Sequence, residues 1–175
     1  VNQNLEKMVT ISKQALWETR HYMFMLRPML TGDTTLTQML ASQLHEFEAI
    51  SGLPTHLQVE GEEEAPNGDQ QRSRRKVQVG TAIFRITQEA LTNAYKHANA
   101  SKLQVHLRYR PDEITVEISD DGKGLEISPS TSVTERVYSG RGLQGMRERA
   151  TELGGSLKIG PEPSGGTHVV ASIPL

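Results

Sequence analysis

Apolar residues recur at steps of three, four and seven along the first 27 positions, at Leu5, Met8, Ile11, Ala15, Tyr22 and Leu26. This spacing predicts one long helix. Pro28 ends the predicted helix, because proline has no N–H to donate to the preceding turn. A helix of this length with a single apolar stripe favours packing against a partner helix.

Periodicity and turn residues divide the remaining chain into short elements. They predict helices over 36–50, 77–98 and 143–153, and strands over 55–59, 101–109, 113–119, 156–159 and 168–173. The helix over 77–98 carries a buried stripe, namely Val79, Ile83, Ile86, Ala90 and Ala94. Polar composition predicts a surface loop over 60–75 and a long mobile loop over 121–140. The fold class is therefore α+β, a two-layer sandwich of a mixed sheet backed by helices, preceded by a long helical arm.

Composition narrows the class of protein. The 175 residues include 35% hydrophobic and 23% charged residues, which is typical of a folded domain. A net charge of −2 gives no general attraction to nucleic acid or to an anionic membrane. The absence of cysteine excludes disulfides and a cysteine nucleophile. The chain has no apolar run of about 20 residues. It begins with Val1, so we expect it to be part of a longer protein.

Residues 85–98 (RITQEALTNAYKHA) combine a carboxylate and an amide on one helical face. Glu89 and Asn93 are four residues apart, and Arg85 and Lys96 extend the same polar stripe. Magnesium prefers hard oxygen ligands and is often held by few protein groups together with phosphates. The pattern also fits an ordinary solvated helix face with capping and salt bridges.

Residues 120–124 (DDGKG) place an acidic residue at a strand end, directly before a glycine turn. A buried Asp120 carboxylate could accept a hydrogen bond from an exocyclic amine, and Gly122 and Gly124 would let a flat ligand approach closely. An ordinary Asp-Gly turn is the structural alternative.

Residues 140–149 (GRGLQGMRER) predict a glycine-rich helix start, with Gly140, Gly142 and Gly145 near the first turn. A helix N-terminus presents free N–H groups and suits phosphate. Residues 165–167 (GGT) could lie near the same pocket, although a hairpin turn explains them more simply.

Together these segments resemble the ATP-binding catalytic domain of sensor histidine kinases, which belongs to the GHKL superfamily with its Bergerat fold. Residues 76–175 carry the resemblance: 85–98 resemble the N box, 120–124 and 140–149 the two glycine boxes, and 165–167 the terminal glycine-threonine element. The amino-acid sequences of residues 88–93 and 145–149 are most similar to those of the nitrate/nitrite-sensor type of kinase. Leu125 and Arg141 depart mildly from the family pattern, where an aromatic residue and a histidine are frequent.

The resemblance implies a role for each matching residue. Asn93 would ligate magnesium, Glu89 would order a metal-bound water, and Asp120 would bind the adenine amine. Lys96 and His97 would lie near the phosphates, and residues 125–139 would form a lid. The remaining pocket residues would be Gly122, Gly124, Gly140, Gly142, Leu143, Gly145 and Thr167. The implied cofactors are ATP and Mg²⁺.

The N-terminal region resembles the same type of kinase. Residues 15–28 are similar to the second helix of the dimerisation and phosphotransfer domain and its exit. We therefore expect a partial phosphotransfer domain at 1–30 and the ATP-binding domain at 31–175. The phosphoacceptor histidine would lie on a helix that precedes Val1. Neither His21 nor His45 fits the acceptor pattern.

The resemblance implies a cytoplasmic protein histidine kinase that passes phosphate to an aspartate on a response-regulator receiver domain. The full-length protein would be a homodimer, with no nucleic-acid partner and no direct membrane contact by this part. This chain alone would bind ATP without phosphorylating itself. Two alternatives remain open: a GHKL ATPase clamp driven by hydrolysis, with a serine-directed kinase as a variant, and a non-catalytic docking module.

Overall fold

The computed structural model describes residues 5, 8–9, 11–12, 15–16, 19, 34–63, 69–124, 133–163 and 165–175, with only the backbone of 133–141. Helices α1, α2 and α3 are Leu36–Ser51, Gln70–Asn93 and Val133–Glu152, and a π-helical turn, Ala94–Ala98, extends α2. Strands β1 to β5 are Thr55–Glu60, Leu103–Tyr109, Glu113–Asp120, Ser156–Pro161 and Thr167–Pro174. This element order agrees with the predicted one.

The five strands form one mixed sheet in the order β1-β2-β3-β5-β4. Strand β1 runs parallel to β2, and the other neighbours are antiparallel. One face is apolar, with Val105 and Leu107 of β2 beside Val116 and Ile118 of β3, and it packs against the helices. The other face is polar, and Arg108 there binds Glu60 at 2.8 Å. The predicted mixed sheet backed by helices is confirmed.

Helix α1 agrees with its prediction at both ends. Thr35 caps its N-terminus, accepting a hydrogen bond from Gln38 N, and the Gln38 side chain binds Thr35 N in return. This reciprocal capping box satisfies two backbone donors that a helix leaves unpaired. Gly52 follows the C-terminus with φ of 71°, a left-handed conformation that a glycine adopts without a Cβ penalty.

Helix α2 begins at Gln70, seven residues before the predicted start, so the predicted loop over 60–75 is wrong for 70–75. The cause is Asp69, whose side chain accepts hydrogen bonds from Gln71 N and Arg72 N and caps the helix. Arg75 binds the carbonyl oxygens of Leu153 and Pro174, so this arginine anchors α2 to the end of the sheet. The predicted apolar stripe of α2 is buried throughout.

Helix α3 begins at Val133, ten residues before the predicted start at Leu143. The predicted loop over 121–140 is therefore wrong for 133–140, while residues 125–132 lie outside the described residues. Glycines suggested a helix start because each costs about 1 kcal/mol in a helix interior. The fully buried Met146 and Ala150 hold the predicted part of this helix against the core.

The N-terminal arm is described only in part. Its described positions are helical, as the periodicity predicted, and Leu5, Met8, Val9, Ile11 and Leu16 are each at least half exposed. The predicted helix end at Pro28 lies outside the described residues. Within the described ranges, no helix is both long and apolar enough to cross a membrane.

Candidate functional site

The end of the α2 helix and the first glycine turn are in direct contact. Lys123 N donates to the carbonyl oxygen of Ala98 at 2.8 Å. A Cβ on Gly122 would lie only 2.2 Å from that same oxygen. The two segments approach so closely that a side chain at position 122 does not fit. The structure thus brings the predicted N box and first glycine box together.

The glycine pair at 165–166 completes this junction. A Cβ on Gly166 would lie 1.9 Å from the Asp120 carbonyl oxygen, and its φ of 97° is in the region that disfavours side chains. The pair also forms a hairpin turn, in which Glu162 N binds the Gly166 oxygen. The hairpin turn is therefore confirmed, and Gly166 lies against Asp120. Thr167, half-buried, is the first residue of β5 and precedes His168, which pairs with Ser119.

Asp120 lies at the C-terminal end of β3 and is only 7% exposed. Its Oδ1 atom accepts a hydrogen bond from Gly122 N at 2.9 Å. No other hydrogen bond to this carboxylate occurs among the described residues. A buried carboxylate with remaining acceptor capacity suits a ligand that offers an N–H donor.

Glu89 and Asn93 lie one turn apart on α2, as their spacing predicted. The Nδ2 atom of Asn93 is buried and has no hydrogen-bond partner among the described residues. Buried polar groups are usually satisfied, and a bound ligand is one way to satisfy this amide. A bound ion would require the amide oxygen in that place, since the two ends of an amide can exchange by rotation.

The second glycine segment contacts α2 at Glu89. A Cβ on Gly142 would lie 2.1 Å from the Glu89 Oε1 atom. The Glu89 carboxylate therefore occupies space that a side chain at position 142 would need. Leu143 packs against the hydrophobic core. Gly140, Gly142 and Gly145 lie inside α3, which corrects the expectation that they open a helix. Their N–H groups are therefore not those of a free helix N-terminus here.

The remaining predicted residues lie around this junction. Lys96 and His97 are exposed on the π-helical turn that follows Asn93. Gly124 has φ of 76° and lies against Gly166, where a Cβ would be 3.1 Å from the Gly166 oxygen. The described part of the chain contains no cluster of three or more His, Asp or Glu side chains that could hold a metal.

Two features of the site were not found from the sequence. Asp121 accepts three hydrogen bonds from Ser101 and Lys102, and these bonds lower its pKa to about 2. The Asp-Asp pair of the glycine box was the available signal. On α2, burial and then the nearby charge of Arg149 lower the pKa of Arg85.

The family comparison supports the same domain. Residues 78–175 match the sequence model of the family described as histidine kinase-, DNA gyrase B-, and HSP90-like ATPase. The match covers more than half of the 175 residues and includes all four motif segments. The chain belongs to this family. Membership of this ATPase family implies that the domain binds ATP.

Curated relatives of this ATPase family extend the similarity over 98% of the chain. It is 35% identical to the signal transduction histidine-protein kinase/phosphatase DegS of Brevibacillus brevis, of which it spans 40%. It is 30% identical to the sensor protein VraS of Staphylococcus aureus, of which it spans 44%. The chain therefore spans less than half the length of either relative. These similarities confirm the predicted catalytic domain of the histidine-kinase type.

Solved structures confirm the fold. The histidine kinase domain of a blue-light activated kinase from Erythrobacter litoralis superposes with a TM-score of 0.56 at 21% identity, covering 85% of this chain and 65% of that one. The ATP binding domain of PrrB from Mycobacterium tuberculosis gives 0.53 at 20% identity, covering 81% of this chain and 94% of that one. At these identities the likeness concerns the fold alone.

Proposed function

We propose that this chain binds Mg-ATP in the junction between α2, the first glycine turn and α3, as the catalytic part of a two-component sensor histidine kinase. The observation that carries the proposal is Asp120, a buried carboxylate held by Gly122 N with acceptor capacity left for an amine. The adenine amine is a donor of the required kind. The facing helix supplies Glu89 and Asn93 for the phosphate end of the nucleotide.

Asn93 would hold the magnesium ion through its amide oxygen, and Glu89 would orient a water on that ion. The buried, unpartnered amide supports this assignment, because an ion or its water would satisfy it. Magnesium, when bound, neutralises charge on the transferred phosphoryl group. Lys96 and His97 are exposed on the next turn and would contact the phosphates.

The pocket residues of the second glycine segment, Gly140, Gly142, Leu143 and Gly145, would form the wall and lid over the nucleotide. The contact between Gly142 and Glu89 supports this arrangement, because it brings the segment to the N box. Gly122, Gly124 and Thr167 would line the base side of the pocket, next to Asp120. Residues 125–139 would contribute the rest of the lid.

In the whole protein, we propose that the γ-phosphoryl group passes to a histidine ring nitrogen on a helix outside these 175 residues. The bond from phosphorus to the bridging oxygen breaks, a nitrogen–phosphorus bond forms, ADP leaves, and the ring releases its proton to water. An aspartate of a response-regulator receiver domain would then accept the phosphoryl group. The name of the relative DegS, a signal transduction histidine-protein kinase/phosphatase, supports this proposal, and VraS is named as a sensor protein.

The N-terminal arm fits this assignment. Residues 1–30 would be the second helix of a dimerisation and phosphotransfer domain, and 31–175 the ATP-binding domain. Exposed apolar side chains such as Met8 and Ile11 support a partner helix, and a homodimer would supply it. The amino-acid sequences of residues 88–93 and 145–149 favour the nitrate/nitrite-sensor type of kinase. We place the domain in the cytoplasm, where ATP and receiver domains are available.

Calorimetric titration of ATP with and without magnesium tests the proposal. We expect Asp120→Ala to abolish binding and Asn93→Ala to remove the magnesium dependence, while Asp112→Ala, which removes a carboxylate at the far end of the β2–β3 hairpin, binds normally. A folded wild-type chain that does not bind ATP would contradict the proposal.

Incubation with ATP labelled on the γ-phosphate separates the kinase from its rivals. We expect no stable label on this chain, because the acceptor histidine lies elsewhere in the whole protein. Stable label on the chain would overturn that placement of the acceptor. Rapid ATP turnover would instead indicate an ATPase clamp.

A further inference from the structure

Asp121 joins two segments of the site without being one of the predicted site residues. Its Oδ1 atom accepts hydrogen bonds from Ser101 N at 2.7 Å and from Lys102 N at 3.0 Å. Its Oδ2 atom accepts a third from the Ser101 hydroxyl at 2.6 Å. These bonds hold the pKa of Asp121 at about 2, so the carboxylate is ionised at neutral pH.

The three bonds connect the exit of the α2 helix to the first glycine turn. Ser101 follows the π-helical turn after Asn99, whose φ of 54° reverses the chain at the helix end. Asp121 lies between Asp120 and Gly122, and Gly122 N is the group that binds the Asp120 carboxylate. A shift of Asp121 would therefore move the donor that orients Asp120.

We propose that Asp121 is a positioning residue for base recognition, fixing the glycine turn so that the Asp120 carboxylate faces the amine of the base. This inference rests on the proposed function, in which Asp120 binds adenine. In this proposal Asp121 acts on the glycine turn rather than on the nucleotide, since Ser101 and Lys102 already supply three hydrogen bonds to its carboxylate. Its effect is transmitted through Gly122 N.

The geometry separates the effect of charge from that of hydrogen bonding. Asp121→Asn keeps an oxygen for the two backbone donors, and its amide nitrogen can donate to the Ser101 hydroxyl, which also accepts hydrogen bonds. Asp121→Ala removes all three bonds. Both substitutions remove the same negative charge. Loss of that charge by itself would strengthen the binding of an anionic nucleotide. Weaker binding in the alanine variant alone therefore reports on position.

Calorimetric titration with Mg-ATP and with Mg-inosine triphosphate tests the inference, because inosine carries an oxygen in place of the exocyclic amine. We expect Asp121→Ala to raise the Kd for ATP about tenfold, the equivalent of one well-placed hydrogen bond to a charged group. The Kd for inosine triphosphate should change much less. Asp121→Asn should stay within about threefold of wild type for ATP. Asp112→Ala, the control, should match wild type with both nucleotides.

An unchanged ratio of ATP to inosine triphosphate affinity in a folded Asp121→Ala protein would show that Asp121 only stabilises the fold, and would overturn the inference. If that variant does not fold, Ser101→Ala removes one of the three bonds and should lower the ratio by about threefold. An unchanged ratio in a folded Ser101→Ala protein then overturns it. Absence of ATP binding by wild type is a different result, since it contradicts the proposed function itself.

Discussion

Gly122→Ala introduces a methyl group where the first glycine turn meets the α2 helix. The new Cβ would lie 2.2 Å from the Ala98 oxygen, whereas ordinary contacts of this kind are 3.4 Å or longer. Relief requires the two segments to separate by about 1 Å, the difference between these distances. That movement breaks the hydrogen bond from Lys123 N to Ala98. Overpacking costs about 1–3 kcal/mol and the lost bond about 1 kcal/mol, so we expect about 2–4 kcal/mol of destabilisation.

Urea unfolding followed by far-UV circular dichroism measures this loss. Gly160→Ala is the matched control, because a Cβ there meets nothing within 4 Å and the residue lies in a strand. We expect the control to change the free energy of unfolding by less than about 1 kcal/mol. The melting temperature of Gly122→Ala should fall by about 5–15 °C. Equal free energies of unfolding in the two variants would refute the close approach of turn and helix.

Three further effects follow from single residues. Because folding lowers the pKa of Asp121, its contribution to stability is present above the unfolded pKa, near 3.8, and is lost as the pH falls towards 2. Asp121→Asn should therefore flatten the dependence of the unfolding free energy on pH, measured by urea unfolding between pH 5 and 2. A Cβ at Gly52 meets nothing within 4 Å, so Gly52→Ala should cost about 1 kcal/mol in thermal unfolding through backbone strain alone. Gly52→Asn should cost less, because asparagine tolerates the left-handed conformation better than alanine. Asp69→Ala should cost about 1 kcal/mol by removing the cap of α2, and an unchanged melting temperature would argue against that cap.

The periodic parts of the fold were predictable because each helix or strand buries one apolar face, and that burial sets the spacing of its apolar residues. The apolar stripe of α2 and the alternation in β2 and β3 each bury one face, and both appear as predicted. The errors fall at helix starts. Asp69 extends α2 by a cap that polar loop composition concealed. In α3, the helix continues through three glycines, against their local preference, and so begins ten residues before its predicted start.

The site was predictable as a set of segments but not as an arrangement. The motif residues identified Asp120, Glu89 and Asn93, yet their spacing alone did not show that Gly122 touches Ala98 or that Gly142 borders Glu89. The hydrogen bonds of Asp121 to Ser101 join segments twenty residues apart in sequence. Such a contact depends on the register of β2 with β3, which the folded sheet fixes.

The strand order has a consequence for how this domain is synthesised. Strand β5 is made after the other four strands, yet it lies between β3 and β4 and pairs with both. On the ribosome, β4 therefore has no place in the sheet until β5 emerges from the exit tunnel. The apolar faces of β3 and α3 remain uncovered during that interval and are exposed to aggregation. We expect the domain to complete its core only after β5 leaves the ribosome.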